Sequence, residues 1–157
     1  MKIRLSDVLS IPDNTVIKKA VFEPDKVEFQ GNIYKVIDKE EFDLTLKGLD
    51  KHSVEVTAKF SIKVVLLCSR CLKELPTTFS IDINEVINTE ENENEDLLEN
   101  IFYVEAGVLD IAGLILDELI PMLPIQTICS EACKGLCKIC GCNLNERECG
   151  CDRHIMD

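Results

Sequence analysis

Histidine is scarce in this chain. His52 and His154 are the only two in 157 residues, and neither has metal-pair spacing to the other. An open catalytic zinc normally draws on histidine or a carboxylate and keeps a position for water. The scarcity therefore argues against one, and His52 reads as a turn residue. A glycine-rich phosphate loop is missing too, and no serine, histidine and aspartate group into a nucleophilic set. The opening MKIRLSDVLSIPDN has no apolar core and no small-residue cleavage site, so secretion is not expected. The longest apolar segment, VLDIAGLILDELIPMLPI, carries Asp110, Asp117, Glu118 and two prolines. It reads as a buried helix rather than a membrane span. Neither a membrane nor a small-molecule substrate is expected as a partner.

Positive charge is missing from one long stretch. Residues 74–133 hold no Lys or Arg but 14 Asp or Glu, whereas residues 1–73 hold 13 against 11 and residues 134–157 four of each. The net charge of −12 is thus one acidic block. Such a block repels nucleic acid and attracts a basic protein. Part of it, NTEENENEDLLEN, is polar and of low complexity, so residues 88–100 read as an acidic loop.

Cysteine is abundant. Seven of the nine fall in CSEACKGLCKICGCNLNERECGC, Cys129 to Cys151, and the other two in CSRC. At 46% hydrophobic residues the chain can build a core without a disulfide framework, and an odd count argues against a closed set. In a reducing cytoplasm, the expected location, clustered thiols more often bind metal than each other. A redox CxxC would open a helix in a βαβ setting. CSRC instead lies between two strand-like runs.

Hydrophobic alternation supplies the fold. Val54, Val56, Ala58, Phe60, Ile62, Val64 and Leu66 share one face of a strand, with Glu55, Thr57, Lys59, Ser61 and Lys63 on the other. Phe42, Leu44 and Leu46 alternate likewise, with GLDKH as the joining turn, and so do Thr77, Phe79, Ile81 and Ile83 after CSRC. Shorter strands are expected around Val16–Phe22, Val27–Phe29 and Ile33–Ile37. Asp110 caps a helix reaching about Ile120, where Pro121 and Pro124 stop it. The expected class is α+β: a mainly antiparallel β-sheet or open barrel, one covering helix, and a C-terminal cysteine-rich zinc-binding segment. The expected domains are residues 1–128 and 129–157. The tail has too few apolar residues to fold on its own core.

Eight cysteines form four closely spaced pairs, the form in which tetrahedral Zn2+ usually takes its ligands. Spacing leaves the combination of pairs open. The preferred one sets Cys68, Cys71, Cys129 and Cys133 against Cys137, Cys140, Cys149 and Cys151, giving two structural zinc sites. Cys142 is left over, and His154 is a substitute ligand. Gly141 permits a positive φ just after Cys140. A four-thiolate site carries two excess negative charges and needs cations or N–H donors nearby. Arg70, Lys73, Lys134, Lys138 and Arg147 stand beside the ligands for this role or for RNA contact.

CSRCL, VLDIAGLILDELIPMLPIQTIC, CKGLCKICGCNLN and the closing CGC together resemble the YceD family of large ribosomal RNA subunit accumulation proteins, over roughly residues 60–151. The resemblance implies a bacterial cytoplasmic protein supporting 23S rRNA accumulation and large-subunit assembly, and no enzyme activity. Some relatives keep only the first site, with a histidine near the place of Cys129, which supports grouping Cys129 and Cys133 with Cys68 and Cys71. Cys142 departs from the family pattern. The expected function is non-enzymatic binding of ribosomal RNA or a basic ribosomal protein of the large-subunit precursor. The alternative is a redox-sensing zinc protein or holdase chaperone, favoured by thiol density and by Cys142.

Overall fold

A computed structural model describes residues 1–89 and 104–151 of the chain. Most of the acidic loop expected over residues 88–100, and His154, lie outside the described residues. The chain divides into two compact units: Met1–Val64 with Thr78–Leu123, and Val65–Thr77 with the chain from Pro124 on.

The first unit is built on alternation. Strands β1 (Lys2–Arg4), β2 (Thr15–Ala20), β3 (Lys26–Phe29), β4 (Asn32–Lys39), β5 (Phe42–Gly48), β6 (Ser53–Leu67) and β7 (Glu74–Asn88) precede β8 (Val104–Glu105) and β9 (Val108–Asp110). The last residues of β6 and the first of β7 belong to the second unit. All seven apolar residues expected on one face of β6 are buried. Each is worth about 1.5–3 kcal/mol if fully withdrawn from water, less for Ala58. Antiparallel pairing sets Leu46 opposite Val56 and Gly48 opposite Val54, so the inward faces of β5 and β6 coincide. Phe42 and Phe60 stack at 3.8 Å.

The larger sheet runs β2-β5-β6-β4-β3, with β7 also paired to β6. One strand can serve three neighbours because 15 residues span about 50 Å. β3 and β4 meet through Gln30 and Gly31, whose φ angles of 49° and 78° suit a mirror-image two-residue turn. β8 and β9 use Ala106 and Gly107 in the same way, at 51° and 75°. They form a small second sheet in the order β1-β9-β8.

Helix α2 (Ile111–Leu119) starts where Asp110 accepts a hydrogen bond from the Ala112 N–H at 3.1 Å. It buries Ile111, Leu114, Ile115 and Leu119. The chain then tightens into a 3₁₀ turn over Ile120–Met122 at Pro121, as a residue without an N–H requires. A one-turn helix α1 (Ser6–Leu9), with β1, β8 and β9, adds to the elements expected from sequence. Mostly antiparallel sheet with one longer helix is therefore the observed architecture. Among the described residues no helix is long and apolar enough to cross a membrane.

Candidate metal centre

The second unit includes the turn between β6 and β7. The Cys68 N–H donates to the Lys73 carbonyl and the Leu72 N–H to the Cys68 carbonyl, both at 2.9 Å. This tight turn aims Cys68 and Cys71 the same way. The returning chain docks on it: the Ser69 N–H donates to the Thr127 carbonyl at 2.7 Å, and the Cys129 N–H donates to Cys68 Sγ at 3.3 Å. The sulfurs of Cys68, Cys71, Cys129 and Cys133 then lie within 4.8 Å of one another.

Their spacing fits a metal ion. Four sulfurs about 2.3 Å from a shared tetrahedral centre stand about 3.8 Å apart. Cys68 Sγ and Cys133 Sγ are 3.8 Å apart, and Cys71 Sγ and Cys129 Sγ 3.7 Å. No disulfide joins them, since all nine cysteines are free. A second set, Cys137, Cys140, Cys149 and Cys151, meets the same 4.8 Å limit. Either cluster can hold a metal ion. The sulfurs thus gather in the two sets of four that the preferred pairing groups together.

One small loop shapes the first half of the second set, Cys137 and Cys140. Leu136 and Asn143 form an antiparallel bridge. Inside it the Cys137 N–H donates to the Cys142 carbonyl at 2.8 Å, and the Gly141 N–H to the Cys137 carbonyl at 2.9 Å. Gly141 takes φ +75°, a conformation open to glycine at little cost. The Ile139 N–H donates to Cys137 Sγ at 3.4 Å.

Electrostatics show why each set calls for a cation. The Cys71 N–H, followed by those of Arg70 and Cys129, lowers the Cys68 thiol to about 6. Cys71 accepts from the Lys73 N–H, yet burial and the thiols of Cys68, Cys129 and Cys133 push it up to about 12. The Cys133 thiol and burial raise Cys129, while the Asn145 amide lowers Cys133. In the second set the N–H groups of Cys140 and Ile139 lower Cys137 to about 6, and the Cys140 thiol and burial raise Cys151 to about 12. Some sulfurs ionise easily and the rest resist a second negative charge. A soft divalent cation removes that conflict for all four.

Both clusters lie inside a segment shared with known proteins. The family described as large ribosomal RNA subunit accumulation protein YceD matches over residues 56–157. The chain belongs to the YceD family. A curated relative from Arabidopsis thaliana is the large ribosomal RNA subunit accumulation protein YCED homolog 1, chloroplastic. It is 43% identical over 56 residues, a stretch covering 36% of this chain and 17% of the relative. No solved structure matches the chain. The YceD family is thus named for an RNA accumulation phenotype rather than a reaction.

Of the cationic residues singled out from this YceD sequence, all five are exposed. The Arg70 guanidinium donates to the carbonyls of Glu131 at 3.4 Å and Cys133 at 3.2 Å, so it braces the loop that carries Cys133. Lys73 and Lys134 also serve through the backbone, the Lys134 N–H donating to Asn145 Oδ1 at 2.8 Å. Lys138 and Arg147 stand on the surface of the same unit. Sequence reasoning missed Asn145. Its Nδ2 donates to Cys133 Sγ at 3.4 Å and to Asn143 Oδ1 at 3.0 Å, so one residue from the second cluster's loop reaches a sulfur of the first. The motif NLN was its only trace in the sequence.

Proposed function

We propose that this protein is a non-enzymatic assembly factor, which supports accumulation of 23S rRNA by binding a component of the large-subunit precursor in a bacterial cytoplasm. Cys68, Cys71, Cys129 and Cys133 would hold one structural zinc ion, and Cys137, Cys140, Cys149 and Cys151 a second. Residues 1–128 act as a platform, an open barrel covered by α2, and the tail from Cys129 is the docking piece. The observation that carries this reading is that both four-sulfur sets fall within residues 56–157, the segment matched to the family. Structural zinc supplies on the order of 10–16 kcal/mol in small peptides at neutral pH, enough to order a tail with little apolar surface.

Charge favours two kinds of contact. Lys73, Lys134, Lys138 and Arg147, with Arg70 as a brace, offer phosphate contacts on the zinc-bearing unit. The first unit offers the opposite sign. An open cleft of about 950 Å³ there is lined by Glu40, Glu41, Asp43, Asp82, Glu85 and Glu118. Its two lysines are already engaged, Lys19 with Asp43 at 2.7 Å and Lys59 with Asp82 at 3.1 Å. That cleft suits a basic ribosomal protein better than RNA.

Sedimentation of the tagged protein through sucrose gradients tests the proposal. We expect comigration with large-subunit precursors at low salt and less at high salt. Nuclease treatment then separates an RNA contact from a protein contact. Absence from every precursor fraction at both salts would refute the assembly role. The redox-sensing reading has one observation in its favour, the ninth thiol, Cys142, buried against the second cluster. Mild peroxide should then release metal and switch on suppression of client aggregation.

A further inference from the structure

The second cluster contains one thiol too many. Cys142 is buried beside Cys137 and Leu144, with Cys149 and Cys151 packed against the same group. Among the described residues the first cluster has no fifth thiol: Leu75 and Leu136 are the apolar side chains packed against its four cysteines. A thiol held only for packing is replaceable by any small apolar residue. One packed among Cys137, Cys149 and Cys151 is positioned to join them as a ligand.

We propose that Cys142 is a fifth, interchangeable ligand of the second cluster, able to stand in for Cys140. This rests on reading the two clusters as metal sites. Three observations support the exchange. Cys142 follows Cys137 at x4 spacing, which lies within the range structural zinc pairs use. The hydrogen bond from the Cys137 N–H to the Cys142 carbonyl, at 2.8 Å, fixes the two backbones side by side in that relation. Between Cys140 and Cys142 lies only Gly141, with open space where a Cβ would sit, so no side chain at that position obstructs an exchange of the two sulfurs. Cys140 is the exposed member of its set, whereas Cys142 is buried. Charge balances in the exchange: Cys142 loses its thiol proton on becoming a ligand, and the released Cys140 thiolate takes one up. Both donors are cysteine thiolates, the class structural Zn2+ sites use, so donor type favours neither sulfur. The ligand class is a thiophilic divalent cation, held by any of at least two overlapping sets of four.

Native mass spectrometry of the full chain, loaded with Zn2+ under reducing conditions, counts ions for each variant. With two sites in the wild type, Cys142→Ala and Cys140→Ala should each keep both ions, and Cys140→Ala with Cys142→Ala should keep one. Cys71→Ala, at the cluster without a fifth thiol, should keep one. Co2+ substitution adds a second readout, because the thiolate-to-metal absorbance scales with the number of sulfur ligands. The Cys140→Ala chain should retain the four-sulfur intensity at both sites. One ion in Cys140→Ala, or a three-sulfur intensity there, overturns the proposal. No ion in the wild type overturns the metal reading itself and this inference with it, an outcome distinct from the first.

Discussion

Replacing Asn145 by alanine removes a hydrogen bond that crosses from one cysteine loop to a sulfur of the other cluster. The Asn145 amide orientation follows from its partners: Oδ1 accepts from the Lys134 N–H at 2.8 Å, which turns Nδ2 toward Cys133 Sγ at 3.4 Å. A hydrogen bond to a charged acceptor contributes about 1.5–3 kcal/mol. Asn145 is exposed, so water softens the loss and also takes over the freed Lys134 N–H. The net is ~2 kcal/mol, or about 30-fold in affinity. That agrees with the 10–100-fold usual for partners of metal ligands, roughly speaking. Asn145→Asp keeps the acceptor for Lys134 but sets a negative charge beside Cys133, so it should weaken the first site further. Competition against a zinc chelator, fitted to two sites, reads both effects. The second site should not change, since Asn145 touches none of its sulfurs among the contacts described. First-site affinity within twofold of wild type in Asn145→Ala would refute the reasoning.

Acid should release the metal with a defined sense. The thiols of Cys68 and Cys137 are lowered to about 6 from the ordinary 9.0. A depressed group confers stability that is full above its unfolded value and is lost as pH falls through the folded value. Release followed with a colorimetric indicator should therefore grow as pH falls, because every ligand must be a thiolate to hold the ion, and release that does not increase on acidification would contradict this. Gly135→Ala should loosen the loop between the clusters. Gly135 has φ +77°, and a Cβ there would lie 3.2 Å from the Arg70 carbonyl oxygen. The left-handed conformation alone costs about 1–2 kcal/mol, so amide protection over residues 133–144 should fall, and unchanged protection would sink the idea. Leu46→Ala, at a fully buried position, should lower stability to urea by about 2–5 kcal/mol and leave the metal count unaltered.

The parts of this fold that were legible in the sequence are those where one physical rule dominates. Seven alternating apolar residues over Val54–Leu66 specify a half-buried strand, and β6 buries every one. Asp110 before an apolar stripe and Pro121 after it bracket α2 on the principle of capping donors and missing N–H groups. Lys2–Arg4 and Val104–Glu105 are too short to display a period. They exist because Lys2 pairs with Asp110, a long-range pairing that no local pattern announces, and Val104 with Leu109 across a tight hairpin. The turn at Ala106–Gly107 carries glycine at only one of its two left-handed positions, which weakens its signal. Cysteine spacing displayed four pairs, and the docking of residues 127–129 onto the CSRC turn brings two of them together. Asn145 stayed hidden because its role depends on a fold that brings residues 133, 134 and 145 into contact.

Hydrogen exchange of the purified chain, before and after removal of metal by a chelator under reducing conditions, bears most directly on whether bound ions organise the cysteine-rich unit. Amides from Cys129 to Cys151 should lose protection on chelation, while those of β6 between Val54 and Val64 keep theirs. If the amides from Cys129 to Cys151 stay protected after the metal is gone, the tail folds by other means and the two clusters are not what holds it.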